Sequence, residues 1–182
     1  MKKVFYLSYD SLVEDISNSQ ILPYLKFFSK NYKIDVFSFE KKKYLKKFFS
    51  LKKNLSDYNI NSFFTYYYNG KNILYIFHLL KAIIYINYKI FTKKYEIIHI
   101  RSLMPCLFIM PSILFIKSNI IFDIRGFWID EKVDRYGLKK NSYKYFFFKY
   151  LEKYILNISK SIICLTHHSK NIIIEKYNIS KK

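Results

Sequence analysis

The sequence predicts an α/β protein with a doubly wound, mostly parallel sheet and helices on both faces. Short apolar runs alternate with longer segments whose apolar residues recur every three or four positions, which is typical of β-α-β units. The later runs, EIIHI, NIIFDI and SIICL, are almost continuously apolar, as strands are when both faces of a parallel sheet are buried. Crossovers between such strands are expected to be right-handed.

The first half of the chain supplies three strands and three helices. The predicted strands are apolar runs rich in β-branched and aromatic residues, at 3–8, 33–39 and 62–68. The predicted helices carry apolar residues at helical spacing, at 18–31, 41–55 and 71–93. Ser17 or Asn18 is a candidate N-cap for the first helix. Asn69 and Gly70 end the third strand, because this pair favours a turn.

The second half repeats the alternation. Strands are predicted at 96–100, 120–124 and 161–165. Helices are predicted at 104–117, 142–158 and 168–178. No helix or strand is predicted between 125 and 141, and no internal repeat is found. We therefore expect residues 1–182 to form a single domain.

Membrane spans and disulfides are not expected. The longest uncharged apolar run, 102–116, contains two prolines, whereas a spanning helix needs about 20 residues. The N-terminus has no signal-peptide pattern, because Asp10 comes too early and no small-residue cleavage site follows. Cys106 and Cys164 lie in apolar runs and are expected to be buried thiols in a reducing cytoplasm.

The formal net charge of +19 has two explanations. It could serve nucleic acid, an anionic membrane surface or an acidic substrate. It could instead follow from an AT-rich genome, because only three of the 32 basic residues are arginines and there is a single alanine. Residues that such a bias disfavours are concentrated between 101 and 137, namely Arg101, Arg125, Gly126, Trp128, Arg135 and Gly137.

Polar residues follow the predicted strands where each strand ends. They are Asp10, Ser11, His99, Arg101, Ser102, Asp123, Arg125, Thr166, His167 and His168. Because ligands of open parallel sheets bind beyond the carboxyl ends of the strands, this pattern predicts a cleft at that edge. No GxGxxG, GxxxxGK[ST] or GxSxG motif occurs, and no Cys/His metal spacing. We therefore expect no metal and no dinucleotide cofactor in this chain.

The segment 122–134 reads FDIRGFWIDEKVD, which resembles the FDxRGFWxDExVD signature of a subset of family 4 glycosyltransferases. Upstream, IHIRS with Pro105 is similar to the family's strand and following turn, and downstream Lys149 and Glu152 reproduce its KxxE helix before a strand ending in Leu-Thr. The family usually has a glycine-rich loop after the first strand, but residues 10–19 contain no glycine.

This resemblance implies a Rossmann-like, acceptor-side N-terminal half of a GT-B enzyme, without the C-terminal donor-binding domain. The complete enzyme would transfer a sugar from a nucleotide-sugar donor to a glycan or lipid-linked acceptor, with retention and without a required metal, in cell-envelope polysaccharide synthesis. The donor-binding half could be a separate chain. The alternative is a catalytically inactive, truncated domain that binds a glycan, a lipid or a partner protein.

Several signature residues have both a binding and a structural interpretation. Arg125, Asp130 and Glu131 are assigned by resemblance to acceptor binding or cleft architecture. Arg125 can instead pair with Asp123 or Asp130, and the two acids can cap the following turn. Gly126 lets the backbone approach a ligand closely, and Trp128 is either a wall for a sugar ring or a core plug. His99, within an apolar strand, fits a core histidine.

A basic amphipathic helix is predicted at 41–56, which holds seven lysines and no acid. Its apolar side carries Tyr44, Leu45, Phe48 and Phe49. The lysines placed toward a membrane are Lys42, Lys43, Lys46, Lys47 and Lys53. Such a helix can lie on an anionic membrane, which predicts a cytoplasmic protein held peripherally at the inner face of the membrane. The same pattern also fits an ordinary sheet-covering helix. No RNA or DNA motif supports a nucleic-acid partner.

Overall fold

The computed structural model describes residues 1–67 and 73–179 and contains one six-stranded sheet in the order β3-β2-β1-β4-β5-β6. Its strands are β1 (Lys2–Ser8), β2 (Tyr32–Lys41), β3 (Ile60–Tyr67), β4 (Ile97–Arg101), β5 (Asn119–Ile124) and β6 (Ser161–Cys164). Every neighbouring pair is parallel. The chain reverses its direction across the sheet between β1 and β4, which therefore border the topological switch point.

Helices cover both faces of this sheet, as the sequence predicts. They are α1 (Leu22–Phe28), α2 (Leu45–Ser56), α3 (Ile73–Lys93), α4 (Cys106–Ile109), α5 (Trp128–Tyr136), α6 (Tyr143–Ile158) and α7 (His167–Tyr177). A π-helical turn at Ser17–Ile21 precedes α1, and a 3₁₀ turn at Lys42–Tyr44 precedes α2. The predicted turn at Asn69 and Gly70, which ends the third strand, lies outside the described residues.

Alternate residues of each strand feed two separate cores. Phe37 and Phe39 of β2 pack with buried residues of α3, α4, α6 and α7 on one face. Ile34 and Val36 of the same strand pack with α1 and α2 on the other. Because side chains alternate across a strand, one continuously apolar run supplies both cores, which is the reason that such runs indicate buried parallel strands.

The predicted helix at 104–117 is wrong in length, since α4 covers only Cys106–Ile109. Pro111 has no N–H to donate, so it cannot form the helical bond to the Leu107 carbonyl. The amide of Ser112 bonds the Ile109 carbonyl at 3.0 Å, so the Phe108 carbonyl loses its helical donor. Asn87 Nδ2 donates to that carbonyl at 2.7 Å and so joins α3 to α4.

Helix α5 is not predicted from the sequence. Its sequence is mostly polar, and Ile129 is the one buried residue along its length. Its ends nevertheless follow the usual rules, with Asp130 and Glu131 in the first turn and Arg135 in the last. Gly137 ends the helix with φ +63°, a left-handed conformation that favours glycine. The two acids lie inside the helix and are not its N-cap.

The expectation that no segment could span a membrane is also wrong by length and composition. Within the described residues, Leu74–Lys93 of α3 is long and apolar enough to do so. Lys81 and Lys89 interrupt this apolar segment, so a search for uncharged runs does not find it. In the fold, Ala82 and Ile86 of α3 are buried against the sheet, so the helix is part of the core. Its opposite face is exposed.

The two cysteines differ in burial. Cys106 is fully buried and Cys164 is half-buried, and neither forms a disulfide. Burial raises the pKa of the Cys106 thiol well above its usual range, and it also raises the pKa of Cys164. Both thiols are therefore protonated near neutral pH, which makes them poor nucleophiles.

Candidate functional site at the carboxyl edge of the sheet

Arg101, the last residue of β4, is the centre of a polar cluster at the switch point. Its side chain is almost completely buried and donates to three acceptors. Nε donates to Asp10 Oδ2 at 3.1 Å, and Nη1 donates to Asp123 Oδ2 at 3.2 Å. Nη2 donates to Gln20 Oε1 at 2.7 Å. A buried guanidinium needs such partners, because an unpaired buried charge is strongly unfavourable.

Asp123 joins the two arginines that the sequence singled out. Besides Arg101, it accepts from Arg125 Nη1 at 3.5 Å through its other oxygen. Burial alone would raise the pKa of Asp123, but His99, Arg125 and Arg101 outweigh it and hold that pKa below its usual range. The interpretation in which Arg125 pairs with Asp123 is therefore the one that the structure contains.

Gln20 is a residue of the candidate site that the sequence pattern did not single out. It lies in the π-helical turn after β1, and its Oε1 accepts from both Arg101 Nη2 and Arg125 Nη2. Single π-helical turns occur frequently at functional sites. Gln20 is the only glutamine in the chain, so the rarity argument that singled out the arginines could also have found it.

The glycine-free loop after β1 is held by a buried carboxylate. Glu40, at the end of β2, accepts from Ser11 Oγ at 2.5 Å, from the Leu12 amide at 2.9 Å and from Ser38 Oγ at 2.6 Å. Ser11 is buried with it. Ser11, a predicted cleft residue, thus fixes the loop from beneath, while Asp10 is the loop residue that reaches the arginine cluster.

Ser102 directly follows Arg101 and has φ +67°. Its amide donates to the Asp123 carbonyl at 2.9 Å. This left-handed turn redirects the chain toward α4 immediately after the buried arginine. Ser102 therefore contributes its backbone to the site, and the strained conformation is of a kind that clusters at functional sites.

Gly126 is required by close approach to Glu131 and not by its backbone angle. A Cβ at position 126 would overlap the Glu131 carboxylate. Glu131 is in the first turn of α5, and its amide donates to the Phe127 carbonyl at 2.9 Å. The glycine thus leaves room for the end of the Glu131 side chain.

Asp130 belongs to a second polar cluster, on the α6 side of α5. It accepts from Lys149 Nζ at 2.6 Å and from the Tyr145 hydroxyl at 3.0 Å. Lys149 Nζ also donates to Glu152 Oε1 at 2.7 Å and to the Tyr177 hydroxyl at 3.0 Å. The alternative in which Arg125 pairs with Asp130 is therefore wrong. Asp130 instead joins the signature segment to the KxxE helix.

Trp128 and Thr166 have structural contacts. The Trp128 ring packs against Phe148 with centroids 4.8 Å apart, and Lys132 lies over its ring. This half-buried packing fits the core-plug interpretation. Thr166 caps α7 by accepting from the Ser169 amide at 3.1 Å. Neither residue contacts the arginine cluster directly.

His99 is a buried residue on the inner side of the cluster. The Tyr24 hydroxyl and His99 Nδ1 form a hydrogen bond of 3.0 Å. His99 Nε2 lies 4.0 Å from Asp123 Oδ2, beyond hydrogen-bond distance. Burial raises the pKa of Tyr24 to about 12. The burial of His99 and its hydrogen bond to Tyr24 agree with the interpretation of His99 as a core histidine next to the site.

The arginine cluster balances its charges, with Arg101 and Arg125 against Asp10 and Asp123. Arg125 and Asp10 are its more exposed charged members, and Gln20 is exposed as well. The surface therefore offers guanidinium donors next to carboxylate acceptors, an array that suits a ligand carrying hydroxyl groups. Among residues 1–67 and 73–179, no group of three or more His, Cys, Asp or Glu could hold a metal ion.

The basic segment at 41–56 begins at the carboxyl end of β2 and forms the 3₁₀ turn at Lys42–Tyr44 and α2. Lys42, Lys43, Lys46, Lys47 and Lys53 are all exposed. The apolar side of α2, however, faces the sheet, because Phe48 and Leu55 are fully buried in the second core. The helix is thus a sheet-covering helix whose lysines face solvent, and most of its apolar residues are not available to a bilayer.

No protein-family model matches the chain, and no curated protein matches it. Solved structures do. Sucrose-phosphate synthase from Thermosynechococcus elongatus matches 100% of this chain with TM-score 0.67 and 10% identity. A glycosyltransferase from Rickettsia africae matches 99% with TM-score 0.60 and 15% identity. TcCGT1, solved in complex with UDP, matches 96% with TM-score 0.59 and 10% identity.

The fold is therefore the Rossmann-like α/β fold of one half of a GT-B glycosyltransferase. The chain spans between 41% and 47% of the length of these three proteins. At identities this low, the likeness shows the fold alone.

Proposed function

We propose that this chain is the acceptor-binding half of a glycosyltransferase of the family 4 type, which transfers a sugar from a nucleotide-sugar donor to a glycan or lipid-linked acceptor. The observation that supports it best is the cluster of Arg101, Asp123, Arg125 and Gln20 at the switch point of the sheet. Ligands of open α/β sheets bind at this position. The FDIRGFWIDEKVD segment supports the family assignment.

The chemistry of the cluster favours an acceptor over a nucleotide. A nucleotide phosphate needs unpaired cationic donors or free backbone amides. Here the guanidinium groups are already balanced by Asp10 and Asp123. A sugar hydroxyl both donates and accepts a hydrogen bond, so it can add to this array without displacing a charge partner. Gln20, Asp10 and Arg125 are the side chains best exposed for that contact.

The donor would be bound by a second domain facing the same edge. That domain would supply the groups that stabilise the negative charge on the leaving phosphate. The residues of this chain would bind the acceptor, orient the attacking hydroxyl and exclude water. The chain spans less than half the length of its structural neighbours. We propose a donor-binding domain as its partner, whether that domain lies in the same protein or in a separate chain.

A lipid-linked acceptor would place the protein at the cytoplasmic face of the membrane. The exposed lysines of α2 support contact with an anionic surface, since each basic residue near such a surface contributes about 1 kcal/mol. Replacing Lys42, Lys43, Lys46 and Lys47 by Gln should weaken sedimentation with phosphatidylglycerol vesicles. Undiminished binding by this variant would exclude a role for α2.

The function is tested by a sugar-transfer assay with nucleotide sugars and lipid extracts, using this chain alone and then with the protein encoded directly downstream. We expect transfer only with both proteins present, and Arg125→Ala should lower it by about a hundredfold. Arg135→Ala is the matched control, because Arg135 is an exposed arginine on α5. Acceptor binding without transfer would instead support a catalytically inactive binding domain, and absence of both would overturn the proposal.

A further inference from the structure

Helix α3 exposes an apolar face that no part of the fold within residues 1–67 and 73–179 covers. This outer face consists of Phe77, Leu80, Ile84, Tyr88 and Phe91, which are between 49% and 69% exposed. On the opposite side of the same helix, Ala82, Ile86 and Ile90 are buried in the core. Single exposed apolar residues are ordinary, but a contiguous apolar surface marks an interaction site.

The residues of the outer face follow one another at steps of three and four, so they form a continuous stripe along the helix. The helix has 21 residues and is therefore about 30 Å long. The stripe continues past its C-terminal end, where the ring of Phe115 lies 6.4 Å from that of Phe91. Leu114 and Phe115 are among the most exposed apolar residues in the described chain.

Basic residues border this apolar surface, and the segment that carries it contains no acidic residue. No Asp or Glu occurs between residues 58 and 95. Lys81 lies within the stripe, and Lys93, Lys94 and Lys117 lie at its C-terminal end, all of them exposed. The next acid along the sequence, Glu96, is paired with Lys2 at 3.3 Å, and Asp35 is paired with Lys89 of α3 at 3.7 Å.

The same arrangement extends to the neighbouring edge of the sheet. Lys81 of α3 and Lys52 of α2 line one cavity of about 450 Å³ beside edge strand β3. The aromatic walls of this cavity include Phe63 and Tyr85. Apolar and aromatic side chains therefore alternate with lysines on this flank too, as they do in segments that lie at a membrane interface.

We infer that the outer face of α3 docks in the plane of an anionic lipid bilayer, with its apolar side chains among the acyl chains and its lysines at the headgroups. This is a surface contact and not a span. Ala82 and Ile86 hold the helix in the core, and Asn87 bonds the Phe108 carbonyl. The inference does not rest on the proposed transferase activity.

Other occupants fit this face less well. A second copy of the chain would bring another net charge of +19 against the first, and like charges oppose association. A donor-binding half must meet the carboxyl edge, where the arginine cluster lies, whereas α3 runs along the flank of the sheet. An anionic bilayer satisfies both the apolar stripe and its lysines.

The test is flotation of the 182-residue chain with vesicles of phosphatidylcholine alone or with phosphatidylglycerol added. We expect vesicle binding that depends on phosphatidylglycerol. Ile84→Asp should weaken this binding by at least about tenfold, because an apolar side chain that would lie among the acyl chains is replaced by a charge. Tyr143→Asp is the matched control, since Tyr143 on α6 is 86% exposed, and its binding should be unchanged. Circular dichroism checks that both variants fold.

Three results would overturn the inference. The first is vesicle binding that Ile84→Asp leaves undiminished. This includes the case in which vesicle binding is lost only when the α2 lysines are replaced. The second is an equal loss in Tyr143→Asp. The third is a chain that does not bind vesicles but forms a dimer, and that dimer is dissociated by Ile84→Asp. This result would assign the outer face to a second copy of the chain. None of these readouts needs sugar transfer, so the two proposals fail independently.

Discussion

Lys149 of α6 donates to Asp130 of α5 at 2.6 Å and to Glu152, one turn further along its own helix, at 2.7 Å. Burial alone would lower the pKa of Lys149, but the bonds to Asp130 and Glu152 outweigh it and raise that pKa. The KxxE pattern and the signature segment are thus two parts of one buried network. Its consequence is that α5 is held against α6 by charge as well as by apolar packing.

Lys149→Met should lower the free energy of unfolding by about 3 kcal/mol, because it leaves the buried Glu152 without its cation. Urea denaturation measures this change. Lys153→Met is the matched control, since Lys153 is exposed on the same helix and should change stability by less than about 0.5 kcal/mol. Equal effects of the two substitutions would show that the network contributes no stability.

The stability of the protein should fall steeply in acid. Asp123 and Asp130 both have a lowered pKa in the folded state, so the unfolded chain binds their protons more readily. Their contribution is present above the unfolded value of about 4 and is lost as the pH falls through the folded values. Thermal unfolding, measured from neutral to acid pH, should show a smaller loss of stability for Asp123→Asn than for the unmodified protein. Asp134→Asn, an exposed control, should keep the full loss.

The two described glycines of the signature region should respond differently to alanine. Gly137→Ala should destabilise by about 1 kcal/mol, because φ +63° strains any side chain although the space is open. Gly126→Ala should cost less than Gly137→Ala, because the overlap is with the end of the flexible Glu131 side chain, which can move aside. Adding Glu131→Ala should remove the cost. A double-mutant cycle by urea denaturation measures it, and additive effects would contradict the close approach.

Gln20→Ala should destabilise by about 1–2 kcal/mol, because the two arginines lose a shared acceptor and bonds to charged groups are the stronger ones. Its effect should be much smaller in an Arg125→Ala background, where one of the two bonds is already absent. Asn18→Ala, an exposed change in the same turn, serves as control. Strict additivity with Arg125→Ala would show that the bridge is energetically unimportant.

The sequence was sufficient for the strands and for most helices, because their apolar spacing records local burial. The six strands agree with the predicted runs to within two or three residues. Two helices were not obtained in this way. The helix at 104–117 was overestimated because apolar content outweighed Pro111, and α5 was missed because only Ile129 is buried on it.

The sequence by itself placed Asp10, Arg101, Asp123 and Arg125 at the carboxyl edge, since the rare arginines and the acids that follow the strands are visible without a structure, but it did not single out Gln20. Tertiary structure alone decided their partners. Asp130 bonds Lys149 and not Arg125 because α6 packs beside α5, and Gln20 reaches both arginines because its turn lies over β4 and β5. Pairing depends on positions brought together from distant parts of the chain, which spacing along the sequence does not record.

The same distinction applies to the helix faces. An amphipathic pattern states that a helix has an apolar side, but it does not say whether protein or lipid covers that side. In α2 the sheet covers Phe48 and Leu55. In α3 the sheet covers Ala82 and Ile86 and leaves the stripe through Ile84 exposed. The sequence therefore determined that both helices are amphipathic, and packing against a sheet of finite width decided which apolar face remained for a partner.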